Sequence, residues 1–228
     1  MTPPDSTVLR SVIDAMLDAW AVIMPVECAG CGTPDRGLCA SCRARLAPDL
    51  RWHRLSDGTP VVSALDYSGV ARQVILAFKE HGRTDVARAL AAPLRQALQA
   101  AATAAGVAEP ELASVPSSWS SYRRRGFDPV ALILRRAGFA SSSALRHSRA
   151  TLQQKTLDVE SRGHNVVGSL RPVRPLHGRQ FILVDDVITT GATLAEAARA
   201  IREGGGAVIC AATVAHTDRL FPADSSSS

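Results

Sequence analysis

The sequence predicts an α/β protein: an open, mostly parallel sheet with helices between its strands, and a small zinc-binding module ahead of it. From about residue 61 onward, short apolar runs alternate with stretches of helical periodicity, the pattern of repeated strand–helix units. The most apolar run, Phe181 to Val184, shows no polar alternation, as a strand buried on both faces requires. Cys28-Ala-Gly-Cys31 and Cys39-Ala-Ser-Cys42, seven residues apart, predict the module.

A chain of 228 residues can bury a sizeable core. Its formal charge of +5 and pI near 9.3 suit an anionic ligand or nucleic acid and say little about fold. Lysine occurs only at positions 79 and 155, so the basicity is almost all arginine. The best candidate for a membrane span, residues 8 to 24, is broken by Asp14 and Asp18 and lacks a basic start or a small-residue cleavage site. It reads instead as an amphipathic helix, with Leu9, Val12, Ile13, Met16, Leu17, Trp20 and Met24 on one stripe. The chain is therefore expected to be cytoplasmic. Residues 1–50 are assigned to this helix and the cysteine module, 61–216 to the α/β domain, and 217–228 to a disordered Ser-rich tail.

Each Cys-x-x-Cys knuckle offers two thiolates at one corner, so Cys28, Cys31, Cys39 and Cys42 suit a tetrahedral structural zinc ion. Disulfides are the alternative in an oxidising compartment. Cys210 falls in a core strand and reads as a small buried hydrophobe. Residues 43 to 60 are polar, with a turn at Asp57-Gly58, and read as a linker. A strand is expected over 61–67, then a helix from Gly69 carrying Val70, Val74, Ala77 and Phe78, ending in a basic loop at 79–83. A second helix starts near Thr84 and runs to Gly106; Pro93 is expected to kink or divide it. A strand at 112–115 leads into a hydroxyl-rich loop, Pro116 to Ser121. Between Tyr122 and Arg149 stand seven arginines and one acid, Asp128. Asp128-Pro129 marks a helix start, the acid as N-cap and the proline at the first helical position. A short strand over 144–147, a polar segment over 151–168 with the character of a mobile loop, and a last strand over 207–215 complete the chain.

The strand at 181–184 ends at Asp185 and Asp186, where it is expected to open into the loop Thr189-Thr190-Gly191-Ala192-Thr193. Small, hydroxylated and permissive residues before a helix make a cup for phosphate, since backbone N–H groups and hydroxyls converge on the anion. Acids beside that cup call for hydroxyls or a metal, and a phosphorylated sugar diol with Mg²⁺ supplies both. A plain strand–turn–helix with Asp at a helix cap is the alternative. In a parallel sheet the loops after Val115, His147 and Val184 would converge at the strands' carboxyl ends.

The stretch DDVITTGAT resembles the loop of type I phosphoribosyltransferases that binds 5-phosphoribosyl 1-pyrophosphate (PRPP). Over residues 20 to 216 the chain resembles the competence protein F, or amidophosphoribosyltransferase-like, family. The resemblance rests on the four cysteines, Tyr67-Ser68-Gly69, Phe78-Lys79, Gly82-Arg83, Val115-Pro116, Arg125-Gly126-Phe127, and Gln154 with Arg162 and Asn165. Asp128-Pro129 stands where the family usually has Asn-Gln. The resemblance implies that Asp185 and Asp186 hold the ribose hydroxyls and that Thr189, Thr190, Gly191, Ala192 and Thr193 cradle the 5-phosphate. It implies that Pro116, Ser117 and Ser118 face pyrophosphate, that 151–165 forms a hood, and that Arg125, Lys155 and Arg162, with Lys79 in addition, steady the leaving group beside Mg²⁺. Taken singly, each arginine also fits a solvated surface role. The function so implied is transfer of a phosphoribosyl group from PRPP to an unidentified acceptor, in a family linked to DNA uptake. The alternative is a PRPP-sensing or single-stranded nucleic-acid-binding protein, with Trp119, Tyr122 and Phe127 available for stacking.

Overall fold

The computed structural model describes residues 26–34, 37–107, 110–148 and 167–217. The expected helix at 8–24, the hood with Gln154, Lys155, Arg162 and Asn165, and the tail beyond Thr217 lie outside the described residues. The elements are α1 (Ala40–Ala44), β1 (Arg51–Arg54), β2 (Pro60–Asp66), α2 (Gly69–Glu80), α3 (Ala87–Ala105), β3 (Glu111–Ser114), α4 (Trp119–Arg125), α5 (Pro129–Arg136), β4 (Leu145–His147), β5 (Leu170–Pro172), β6 (Gln180–Ile188), α6 (Ala192–Glu203) and β7 (Ala207–His216).

Five strands form the main sheet in the order β1-β2-β7-β6-β3, parallel except for β1 at one edge. The pleat of β6 sorts its apolar run between two cores. Ile182 and Val184 enter a cluster with α2, α3 and α5, while Phe181 and Leu183 enter a second with α6 and the β4–β5 ribbon. Both faces of the sheet are thus covered, which is why the run carries no polar residue. Among the described residues no helix is long and apolar enough to cross a membrane.

Five expectations are corrected. The stretch read as a linker overlaps the end of α1 and contains the edge strand β1, whose residues 51–54 are mostly exposed and so leave no apolar alternation to read; the Asp57-Gly58 turn closes β1 and β2 into a hairpin. Pro93 does not divide α3, which runs on for 19 residues. The proline removes one helical hydrogen bond, and buried Leu90, Leu94, Ala97, Leu98 and Ala101 hold the helix on the sheet. Trp119 to Arg125 is a helix and not part of a loop: Ser118 caps it by accepting from the Ser121 N–H, and Gly126 ends it at φ +75°. The strand at 145–147 pairs antiparallel with β5 outside the main sheet. Finally, β6 does not open at the acids but continues to Ile188, because Asp185 and Val187 still pair with Thr213 and Ala215 of β7.

Phe181 is fully buried in the second cluster. Phe181→Ala is expected to cost about 3–5 kcal/mol, read as a fall in unfolding free energy in urea.

Candidate active site

The carboxyl ends of β2, β3 and β6 open onto a cleft of about 390 Å³. Strand β6 delivers the two acids as its last polar pair. Asp185 accepts from the Asp186 N–H at 2.8 Å, and Asp186 accepts from the Val187 N–H at 2.7 Å, so the backbone itself orients both carboxylates. From the end of α2, Lys79 reaches Asp186, with Nζ 3.1 Å from Oδ1 and 3.0 Å from Oδ2. Burial, and then the neighbouring Asp186 charge, push the Asp185 carboxyl up to about 8.

The loop after β3 supplies hydroxyls. Ser117, Ser118 and Ser121 line the cleft, with the Ser118 and Ser121 hydroxyls 2.9 Å apart. The last turn of α4 adds Arg125, whose side chain is only 13% exposed and pairs with Glu80 at 3.4 Å. Its Nε–H is buried with no hydrogen-bond partner among the described residues. A buried donor left without a partner costs free energy.

After β6 the chain turns at Thr189-Thr190-Gly191. Gly191 stands at φ +73°, and a Cβ there would lie 2.8 Å from Leu55 Cδ2, so only glycine fits. The Thr190 hydroxyl accepts from the Ala192 N–H at 3.2 Å. Ala192 and Thr193 belong to the first turn of α6 rather than to the loop. Backbone N–H groups in such a first turn have no partner within the helix.

Of the sequence-predicted residues, the cleft brings together Asp185, Asp186, Thr189, Thr193, Pro116, Ser117, Ser118 and Arg125. Thr190, Gly191 and Ala192 shape the turn without lining it. Lys155 and Arg162 lie outside the described residues. Lys79 proves to be the direct partner of Asp186, 107 residues away in sequence. One of two lysines in an arginine-rich chain is the available signal, but its partner is not readable. Tyr67 also lines the cleft.

Beside this cleft, sharing Pro116 and Ser117, lies a largely apolar cavity of about 580 Å³ bounded by Trp119, Tyr122, Asp128 and His147. The Trp119 and Tyr122 rings are 61% and 44% exposed and lie 13° from parallel. His147 Nε2 donates to the Pro116 carbonyl at 3.0 Å, which ties the β4 end to the serine loop. Phe127 packs against Phe78 and belongs to the core, so it is not part of this aromatic surface.

The four N-terminal cysteines form the second site. Their sulfurs all lie within 4.8 Å of one another, and Cys31 and Cys39 are 3.7 Å apart. An ion about 2.3 Å from each sulfur sets the tetrahedral edge at roughly 3.8 Å, so the donor set fits zinc. Backbone N–H groups of Gly30 and Cys39 point at the Cys28 sulfur, at 3.4 and 3.3 Å. No disulfide joins these cysteines. Cys210 is buried, and burial raises its thiol to about 11.

The phosphoribosyl transferase domain family matches residues 128–226. The DNA utilization protein YhgH of Salmonella typhimurium is 31% identical over 188 residues, 80% of each chain. YhgH of Escherichia coli is 30% identical over the same span and share. A crystal structure of adenine phosphoribosyltransferase superposes with a TM-score of 0.38 and 13% identity, over 78% of this chain and 90% of that one.

Asp185 is easier to protonate in the folded chain than in the unfolded one, where a carboxyl titrates near 4. The ligand-free protein is thus expected to lose stability as pH rises from about 4 towards about 8. Asp185→Asn should flatten that part of the pH–Tm profile measured by scanning calorimetry. Protein prepared without chelators is expected to carry one zinc per chain by elemental analysis, and Cys39→Ser to lose it.

Proposed function

The chain belongs to the family of the DNA utilization protein YhgH, of the competence protein F kind, and carries a phosphoribosyl transferase domain; on that premise we propose that it binds PRPP in the cleft and transfers the phosphoribosyl group to an acceptor, releasing pyrophosphate. The observation that carries this reading is the sorting of charge within one cavity. Two acids and Lys79 gather at the end of β6, while serine hydroxyls and the Arg125 guanidinium come from the loop after β3 and from α4.

In this reading the Asp185 and Asp186 carboxylates accept from the ribose 2′ and 3′ hydroxyls. Lys79 holds Asp186 in place and balances its charge until the sugar arrives. The 5-phosphate takes the turn at Thr189 to Thr193, where hydroxyls and N–H groups of the first turn of α6 are its donors. Pyrophosphate faces Pro116, Ser117, Ser118 and Arg125. Mg²⁺, when bound with pyrophosphate, offsets the charge that grows on the leaving group. The bond from the anomeric carbon to pyrophosphate breaks with its electron pair on the leaving oxygen. A lone pair of the acceptor forms the new bond, and the acceptor's proton passes to solvent. Lys155 and Arg162 would add cationic donors from the hood. The zinc held by Cys28, Cys31, Cys39 and Cys42 has no open position in such a set and is structural. A role in DNA use, as the relatives' name states for them, is the setting we propose for this activity.

A second reading, binding of unpaired bases without turnover, is favoured by the exposed and nearly parallel Trp119 and Tyr122, with Arg123 and Arg124 on the same short helix. Such stacking contributes about 1–3 kcal/mol per base.

Calorimetry with PRPP and Mg²⁺ on wild type, Asp186→Ala and Asp186→Asn decides the first reading. The variants are expected to keep the wild-type fold and to lose about 100-fold in affinity, the effect of two charged hydrogen bonds. Unchanged affinity would overturn the site. Binding of PRPP with no pyrophosphate release from any acceptor, together with oligonucleotide affinity that Trp119→Ala removes, would establish the second reading.

A further inference from the structure

Around the end of α2, three side chains reach three different parts of the molecule. Lys79 meets Asp186 in the cleft. Glu80 pairs with Arg124 at 2.9 Å and with Arg125 at 3.4 Å, holding the cationic end of α4. Arg83, just past the helix, turns the other way. It donates to the Glu27 carbonyl at 3.0 Å and to the Gly37 carbonyl at 3.1 Å, both in the cysteine segment. Asp85 accepts from Arg83 Nε and Nη2 at 3.0 and 2.8 Å, which locks the guanidinium in that direction.

The two acceptor carbonyls are products of the cysteine fold. Gly37 O also accepts from the Ala29 N–H at 3.0 Å, so it stands where Arg83 needs it only when the two knuckles lie against each other. Both close tightly. A Cβ on Gly30 would lie 2.7 Å from Cys42 Sγ, and one on Gly37 would lie 2.5 Å from Asp85 Oδ2. The apolar face of α2, with Val70, Val74 and Phe78, shares one core cluster with Cys28 and Cys42. The cysteine site and the cleft thus bear on opposite directions of reach from one helix end.

We propose that Arg83 is a positioning residue through which the metal-bound cysteine cluster fixes the end of α2, and with it Lys79 and the Glu80–Arg125 pair, so that occupancy of the cysteines controls the affinity of the cleft. Without the ion nothing ties the four sulfurs together, the knuckles part, and the Glu27 and Gly37 carbonyls leave Arg83. The helix end is then held by its apolar face alone. Apolar packing is non-directional and does not set Lys79 Nζ to the fraction of an ångström that a charged hydrogen bond requires. The ligand arm of this inference rests on the PRPP reading above; the helix arm does not.

The test uses the full chain as wild type, Arg83→Gln and Arg83→Lys, each with zinc and after stripping by a chelator. The readouts are zinc content, calorimetry with PRPP and Mg²⁺, and amide hydrogen exchange over residues 77–83. Arg83→Gln is expected to keep its zinc, exchange faster over 77–83, and bind PRPP about tenfold more weakly, on the scale of one lost positioning bond. Stripped wild type should match it, and stripping Arg83→Gln should add nothing further. Arg83→Lys, which keeps the charge and loses the fork, should fall between. Wild-type exchange and affinity in zinc-bound Arg83→Gln would overturn the proposal, whether or not the stripped protein stays folded. If wild type itself binds no PRPP, the PRPP reading fails, and the exchange measurements alone still decide the coupling.

Discussion

Two neighbouring carboxylates at the end of a buried strand must be met by cations, donors or protons, and the structure around β6 is shaped by that demand. Asp186 is buried and draws Lys79 into a contact of 3.0 Å from the last turn of α2. Asp185 is half-buried with no cation of its own among the described hydrogen bonds, and its carboxyl is held towards the neutral form. A ligand bearing hydroxyls or arriving with a divalent ion relieves that cost, whereas an anionic group placed there adds to it. In the proposed reading the acids fix which end of a phosphorylated sugar lies against β6, and its phosphates fall to the turn at 189–193 and to the serine loop.

Lysine at 79 and arginine at 125 are not interchangeable in this scheme. The ammonium is compact enough to sit against both oxygens of Asp186 in a partly buried site. The guanidinium of Arg125 has several donors spread over a plane, so one pairs with Glu80 while the buried Nε keeps no partner among the described residues. Glu80 is shared between Arg124 and Arg125, which keeps the short helix α4 and the end of α2 in register. The result is a cleft whose polar groups come from β6, α2, α4 and the loop after β3, and whose geometry depends on how those elements dock.

The cysteine segment is too short to build its own apolar core. It contributes Cys28, Cys42 and Leu46 to the core of the α/β domain, and Arg83 adds polar contacts at its edge. Metal binding in a set of this geometry becomes folding free energy for the segment. Because Cys28 and Cys42 share a core cluster with the helix that carries Lys79, the cysteine set and the cleft bear on one structural element.

The amino-acid pattern by itself determined the class of fold, the buried strand, the acid pair, the glycine turn ahead of α6, the Asp128-Pro129 helix start and the cysteine set, because each is written in residues close together in sequence. Periodicity, turn chemistry and Cys-x-x-Cys spacing are local, and they carried over to the observed elements to within a few residues. What failed locally also failed for local reasons. Residues 51–54 form an edge strand whose stability comes from backbone pairing with β2 and shows no apolar alternation. The length of β6 is set by its neighbour β7, so the acids fall inside the strand and not beyond it. Only tertiary structure could decide the pairings that cross the chain: Lys79 with Asp186, Glu80 with Arg125, Arg83 with the carbonyls of Glu27 and Gly37. Those contacts join residues that no periodicity relates. They exist because burying the apolar face of α2 against the sheet and the cysteines brings its polar end to both sites at once.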